Sequence, residues 1–295
     1  MKKYISLIFP IFLISFVRAE DCGITNLASC ISQKFFEFLL SILNAPIQPI
    51  LDVIYNLMIQ PVNIDIFFSV WTIIIYILSM FYGLLLLYSG FKFVLSGHSP
   101  EQREKAKSTL TRIILLMVFV QASFYIYSLI IEMNSSVTTA IFNLVQQNFF
   151  LLTIDNITNI GLEFMLLLPY ILCLVITLII LVLRYIIVSS GVILFAIGIF
   201  FYFIQPLNNY GKLIINFLLA SITSTFFYSI IFLASSKLLE IAVFQNFKIL
   251  VMIGAFSFVN ILTIIVLLFI IIKAATAVLT PVVRVMSLVG AVTGG

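Results

Sequence analysis

Charge is scarce in this chain of 295 residues: Asp, Glu, Lys and Arg make up only 9% of it, against about 25% in ordinary soluble domains. That scarcity excludes a water-soluble globular fold, because no single core hides a composition that is 63% hydrophobic. Histidine is nearly missing too. His98 stands alone in a polar loop, and no His, Cys and carboxylate positions recur at the spacing of a metal site. Neither a phosphate-cradling glycine loop nor a dinucleotide fingerprint is present. With no nucleophile–base pair to assemble, the sequence carries no sign of an enzyme or of a cofactor. Cysteine is limited to Cys22, Cys30 and Cys173, too few for a disulfide-built scaffold.

What is there is apolar. Runs of 18 or more apolar residues mark bilayer-spanning helices, and at least five such runs occur. The expected fold is all-α, a polytopic transmembrane helix bundle of five to seven spans in a cell membrane, with the lipid bilayer as its first partner. Residues 1–19 have the layout of a secretory signal peptide: Lys2 and Lys3, an apolar run over 4–16, then the small-residue site Val17-Arg18-Ala19. Cleavage after Ala19 leaves Glu20 as an N-terminus outside the cytoplasm. Arg18, unusual so near a cleavage site, keeps an uncleaved signal anchor as the alternative. Cys22 and Cys30 fall in this exported stretch and either pair as a disulfide or remain free thiols.

Residues 20–65 are expected to form exported interfacial amphipathic helices. Ile31, Phe35, Phe38, Leu39 and Ile42 share one face, with Gln33, Lys34, Glu37, Ser41 and Asn44 opposite. Pro46 and Pro49 break this helix, and a second follows with Asp52, Asn56 and Gln60 four apart. Such helices anchor on a leaflet or offer a lateral surface to a partner. Residues 66–133 read as a helical hairpin around a basic cytoplasmic loop, 92–112. Its first span covers 66–91, with Trp71 and Tyr76 at interface level. Ser99 caps the next helix, Pro100 is its first residue and Gln102 completes a capping box. That helix is expected to run straight to Met133, roughly 50 Å against a hydrocarbon core of about 30 Å. Residues 134–162 form an outer polar connection with a surface-lying helix of its own. Residues 163–272 complete the bundle, with Arg184 and Ser189-Ser190-Gly191 dividing 163–204 into two spans, and 273–295 form a tail.

Lys92, Arg103, Lys105, Lys107 and Arg112 outweigh Glu101 and Glu104 in 92–112, whereas 20–65 sets Glu20, Asp21, Glu37, Asp52 and Asp65 against Lys34. The positive-inside rule therefore puts 92–112 in the cytoplasm and the N-terminus outside. It leaves the side of Lys273 and Arg284 open. Arg103, Lys105, Lys107 and Arg112 form a candidate docking surface for an acidic cytoplasmic partner, or an anchor on anionic headgroups. Arg184 is either a turn residue snorkelling to the headgroups or a buried cation paired inside the bundle. No carboxylate lies in mid-membrane to serve a proton relay. Ser189, Ser190, Gly191, Ala196 and Gly198 in one span, and Ala220, Ser221, Thr223 and Ser224 in the next, permit close helix approach or line a polar path.

The passage Leu183-Arg184-Tyr185-Ile186-Ile187, followed by Pro206 and by Tyr210-Gly211-Lys212 before another long span, resembles the TrbL/VirB-type polytopic channel proteins of type IV secretion and conjugation. The archaeal DNA-exchange (Ced) membrane protein is a similar member of that group. Gly90-Phe91-Lys92 and the charged loop after Ser99 look like the cytoplasmic hinge of conjugative pilins. Phe217 stands where the family pattern has tryptophan. The resemblance implies a non-catalytic channel or scaffold subunit, oligomeric, working beside other membrane subunits and a cytoplasmic ATPase, with DNA or protein as cargo. It singles out Arg184, Tyr185, Pro206, Gly211 and Lys212. The rival classes are a self-contained secondary transporter, with internal repeats and broken helices around a midplane site, and a membrane assembly factor without a conduit.

Overall fold

Helix α1, Leu27–Ile59, keeps its register through Pro46 and Pro49. Both prolines are exposed, whereas Ile47, Ile54 and Met58 on another face are buried. Packing of that face against later helices holds the segment where each proline removes a backbone hydrogen bond. Over 27–59 one continuous helix docked into the bundle thus runs through the break expected at Pro46 and Pro49. The computed structural model describes residues 27–151, 160–245 and 247–293, with no strand among them. The signal peptide, its cleavage site, Cys22 and the Cys30 side chain lie outside what is described.

A 3-10 turn, Asp65–Phe67, leads into α2, Phe68–Leu95; Asp65 at the start and Lys92 in the last turn complement the helix dipole. Ser99, in extended conformation, caps α3, Pro100–Gln121, its Oγ accepting the Gln102 amide at 3.4 Å. The straight helix expected from there does not form. It stops at Gln121, and α4, Ser123–Phe142, continues at 60° to it. Trp71 occupies the bend. It is buried, its Nε1 donates to Ser123 Oγ at 2.9 Å, and Phe124 packs against Phe68 and Trp71. Because α4 absorbs residues 134–142 and buries Ser135 and Thr138, the outer polar connection begins only after Phe142.

Helix α5, Ile160–Phe203, is a single helix of 44 residues, not two spans meeting at Arg184. Ser190 turns its hydroxyl back onto Ile186 O at 2.8 Å, and Gly191 leaves room for Tyr127 Oη where a Cβ would collide. Neither residue interrupts the helix, because both answer their own packing locally. The 3-10 turn Gln205–Leu207, holding Pro206, reverses the chain into α6, Asn208–Leu238. Short α7, Ala242–Gln245, leads to α8, Lys248–Thr293. By length and composition, four stretches among the described residues can cross a bilayer: Asp65–Leu95, Met165–Phe203, Gln205–Leu238 and Lys248–Lys273. The bent α3–α4 pair is a fifth if counted as one crossing. This inventory is consistent with a multi-pass membrane protein.

The core is divided in two. One cluster joins α2, α3, the start of α4, the C-terminal half of α5 and the start of α6 around Leu116, Tyr127, Val192 and Leu218. The other joins α1, the end of α4, the N-terminal half of α5, the later part of α6 and α8 around Met58, Leu174, Phe232 and Phe256. They are stacked end to end along α5, where Leu181 belongs to one and Val188 to the other.

Candidate functional site

Arg184 lies between Leu181 and Val188, at the level where the two cores meet, and it is only 9% exposed. An isolated cation there is costly unless its protons are matched. α6 matches them. Arg184 Nε donates to Ser221 O at 2.9 Å and Ser224 Oγ at 3.1 Å, and Nη2 donates to Ile222 O at 2.9 Å and Thr225 Oγ1 at 3.2 Å. The small hydroxyl residues of α6 make this reach available. Ser221 donates to Phe217 O and Ser224 to Ser221 O, both at 2.9 Å, so their hydrogens are used within the helix and their oxygens stay open as acceptors.

Around this fork runs a polar waist. Asn134 Nδ2 on α4 donates to the same Thr225 Oγ1 at 2.9 Å. Ser135 and Thr139 both donate to Ile59 O at the end of α1. Ser189 donates to Asn63 O at 2.7 Å, Asn63 N donates to the Tyr185 hydroxyl at 3.3 Å, and Tyr127 Oη donates to Val188 O at 2.8 Å. Each bond joins different elements across a boundary where apolar packing is interrupted, so the waist fixes how the two cores sit on one another.

The guanidinium makes no ion pair among the described residues; Lys105–Glu101 and Lys237–Glu240 pair at the surface. Carbonyl dipoles and hydroxyls, not a carboxylate, hold its charge. Such an arrangement clamps helices and projects positive potential into the interior. No carboxylate or imidazole among the described residues takes part in it. Among the described residues no three His, Cys, Asp or Glu side chains converge as metal ligands.

The other residues singled out from the sequence are dispersed. Tyr185 joins the waist through Asn63. Pro206 lies in the turn between α5 and α6, and Gly211 at their closest approach, where an added Cβ would lie 2.7 Å from Gly198 O and Tyr202 Cα. Lys212 is exposed. The four basic residues of the candidate docking surface separate into three settings. Arg103 and Lys107 line one cleft with Phe93 and Glu104, and Arg103 stands over the Phe93 ring at 5.8 Å. Lys105 is paired with Glu101 at 2.6 Å. Arg112 lines a different cleft with Tyr202, Gln205, Asn208 and Asn209 beside the α5–α6 turn.

Sequence reasoning missed Tyr127, Asn63, Asn134 and Thr225 as waist members. It also missed a second polar node, where Thr177 Oγ1 donates to Asn260 Oδ1 at 2.9 Å and Asn260 Nδ2 to Cys173 O at 3.3 Å, joining α5 to α8. Asn260, alone in an apolar run, was the available signal. No protein-family model, curated protein or solved structure matches this chain.

Proposed function

We propose that the chain is a non-enzymatic, multi-pass subunit of a type IV secretion-like translocation apparatus, acting as channel or scaffold in a cell membrane. The observation that carries its being a subunit is a length mismatch. The apolar stretch Met165–Phe203 has 39 residues, about 58 Å at the standard rise, against a hydrocarbon core of about 30 Å. Even a tilt of about 40° covers only about 40 Å of it. Other helices of the chain do not remove the excess. α8 meets α5 at Cys173 and Thr177, and α2 meets it at Phe200, about 35 Å farther along. Both α8 and α2 carry exposed apolar side chains, such as Ile265 and Phe269 on one and Met80 and Leu84 on the other. A flat bilayer that covers one leaves much of the other to be covered by protein.

The resemblance of 183–212 to TrbL/VirB-type proteins supplies the kind of assembly. Five crossings, with the N-terminal region outside, put 92–112, the α5–α6 turn with Lys212, and the tail with Lys273 and Arg284 on the cytoplasmic side, as the charge rule prefers. Two contacts support that grouping: Arg112 shares a cleft with the α5–α6 turn, and Gln146 Nε2 donates to Glu240 Oε1 at 3.2 Å at the other end. The 60° break between α3 and α4 is the feature that favours a secondary transporter instead. Against it, α5 is unbroken where a second interrupted helix would be needed.

The cleft holding Arg103 and Lys107 is the proposed docking face for a cytoplasmic ATPase. Arg103→Glu with Lys107→Glu, keeping Lys92, Lys105 and Arg112 to preserve orientation, is expected to leave insertion and protein level unchanged. Cargo transfer and ATPase co-purification should fall by about tenfold or more. Unchanged transfer and co-purification in a correctly inserted double variant would reject the docking role and leave 92–112 as a headgroup anchor.

A further inference from the structure

At the end of the molecule away from Arg112, α1, α4, α6, α8 and residues 143–151 line a partly open cavity of about 280 Å³, close to the lower end of small-ligand pockets at about 300 Å³. Four phenylalanines line it. Phe150 stacks on Phe142 at 5.8 Å between ring centroids and lies 5.4 Å from Phe232 and 5.8 Å from Phe256. Tyr55 adds a fifth ring, edge-on to Phe142 at 5.4 Å. Aromatic faces carry a negative quadrupole that attracts cations, most strongly where water is reduced.

Among the described residues that line it, Asp52 alone is charged. Asp52 is exposed and makes no ion pair or hydrogen bond among the described residues. Glu240 is held by the lining residue Gln146 at 3.2 Å and ion-paired with Lys237 at 2.6 Å, so it adds no free negative charge. A carboxylate at the mouth and an aromatic floor select a ligand that is cationic and apolar together. A hard metal cation wants about six or more oxygen ligands, which this lining does not supply. An anion meets Asp52.

We infer that this cavity is a binding site for an organic ammonium group, either a small free amine or the headgroup of a phospholipid. The inference is independent of the translocation reading and stands on the cavity alone.

The test uses the full chain in nanodiscs of phosphatidylglycerol, titrated calorimetrically with choline and with 3,3-dimethyl-1-butanol, its uncharged isostere. Choline is expected to bind saturably, and the isostere at least about tenfold more weakly. Asp52→Asn preserves shape while removing the charge and, because Asp52 has no partner among the described residues, should melt like the unaltered protein. It should weaken choline binding about tenfold or more, and Phe150→Leu should weaken it severalfold. Repeating the titration in phosphatidylcholine nanodiscs separates the sources. Lost choline binding there assigns the site to a lipid headgroup, and retained binding assigns it to a free amine. No saturable binding in phosphatidylglycerol discs, equal binding of choline and its isostere, or unchanged affinity in a folded Asp52→Asn variant would overturn the inference.

Discussion

Gly211→Ala is expected to abolish the folded state or to lower its stability by more than about 4 kcal/mol, a loss seldom reached by one methyl group. The reason is where the new carbon would go. It would lie 2.7 Å from Gly198 O and from Tyr202 Cα, and closer still to the Tyr202 amide nitrogen. All three are backbone atoms, so no rotamer change relieves the overlap and α6 must move away from α5. Those two helices share both cores and the waist between them, so separating them opens the whole bundle. Gly83 on α2 is the internal control: a Cβ there meets nothing within 4 Å, and Gly83→Ala should be neutral or gain roughly 0.5–1 kcal/mol from helix propensity. Thermal melting of the detergent-purified variants, with yield of monodisperse protein as a second readout, checks both. A Gly211→Ala protein that melts with the wild type would mean that α5 and α6 do not cross as described.

Arg184→Leu is the second large effect. It removes four hydrogen bonds from a charged donor to α6, and a loss of roughly 2–4 kcal/mol is expected. The sum of nominal values for charged hydrogen bonds is larger, but interhelical bonds in membrane proteins contribute less each. Arg184→Lys should restore only part of it, because a single ammonium cannot reach the two carbonyls and two hydroxyls that the planar guanidinium bridges. A double-mutant cycle with Thr225→Val separates clamping from simple volume. A coupling of about 0.5–2 kcal/mol is expected between residues that touch. Arg184→Leu melting at the wild-type temperature would show that the waist holds nothing in place.

How much of this was legible in the sequence depends on the range over which each feature is decided. The start of α3 was readable because Ser99 and Pro100 act within three residues of one another. The apolar runs gave the spans, and the position of Pro206 gave the reversal before α6. The unbroken α5 was not readable, since the expectation of two spans came from bilayer thickness, whereas Ser190 and Gly191 settle their own packing within the helix. Likewise Pro46 and Pro49 predict a break that docking of Ile47, Ile54 and Met58 overrides. The α3–α4 bend depends on Trp71 meeting Ser123, 52 residues away, and the waist on partners 37 to 126 residues apart. The sharper of two readings of Arg184, as a buried cation paired with backbone carbonyls, could be named from the sequence. Its acceptors on α6 could not. The aromatic cavity was invisible, because Tyr55, Phe142, Phe150, Phe232 and Phe256 come from four helices and a turn, and each reads in isolation as one more apolar residue.

The central claim is that this chain is one subunit of a larger membrane assembly, because its apolar surface is too long for a bilayer to cover alone. The mass of the complex extracted gently from native membranes, measured by native mass spectrometry with the chain carrying an affinity tag, tests this directly. The account predicts a complex several times the mass of one chain that contains other membrane proteins or further copies and falls apart when α2 or α8 is given charged residues on its exposed face. A single chain released alone, unchanged in mass across mild detergents, would contradict it.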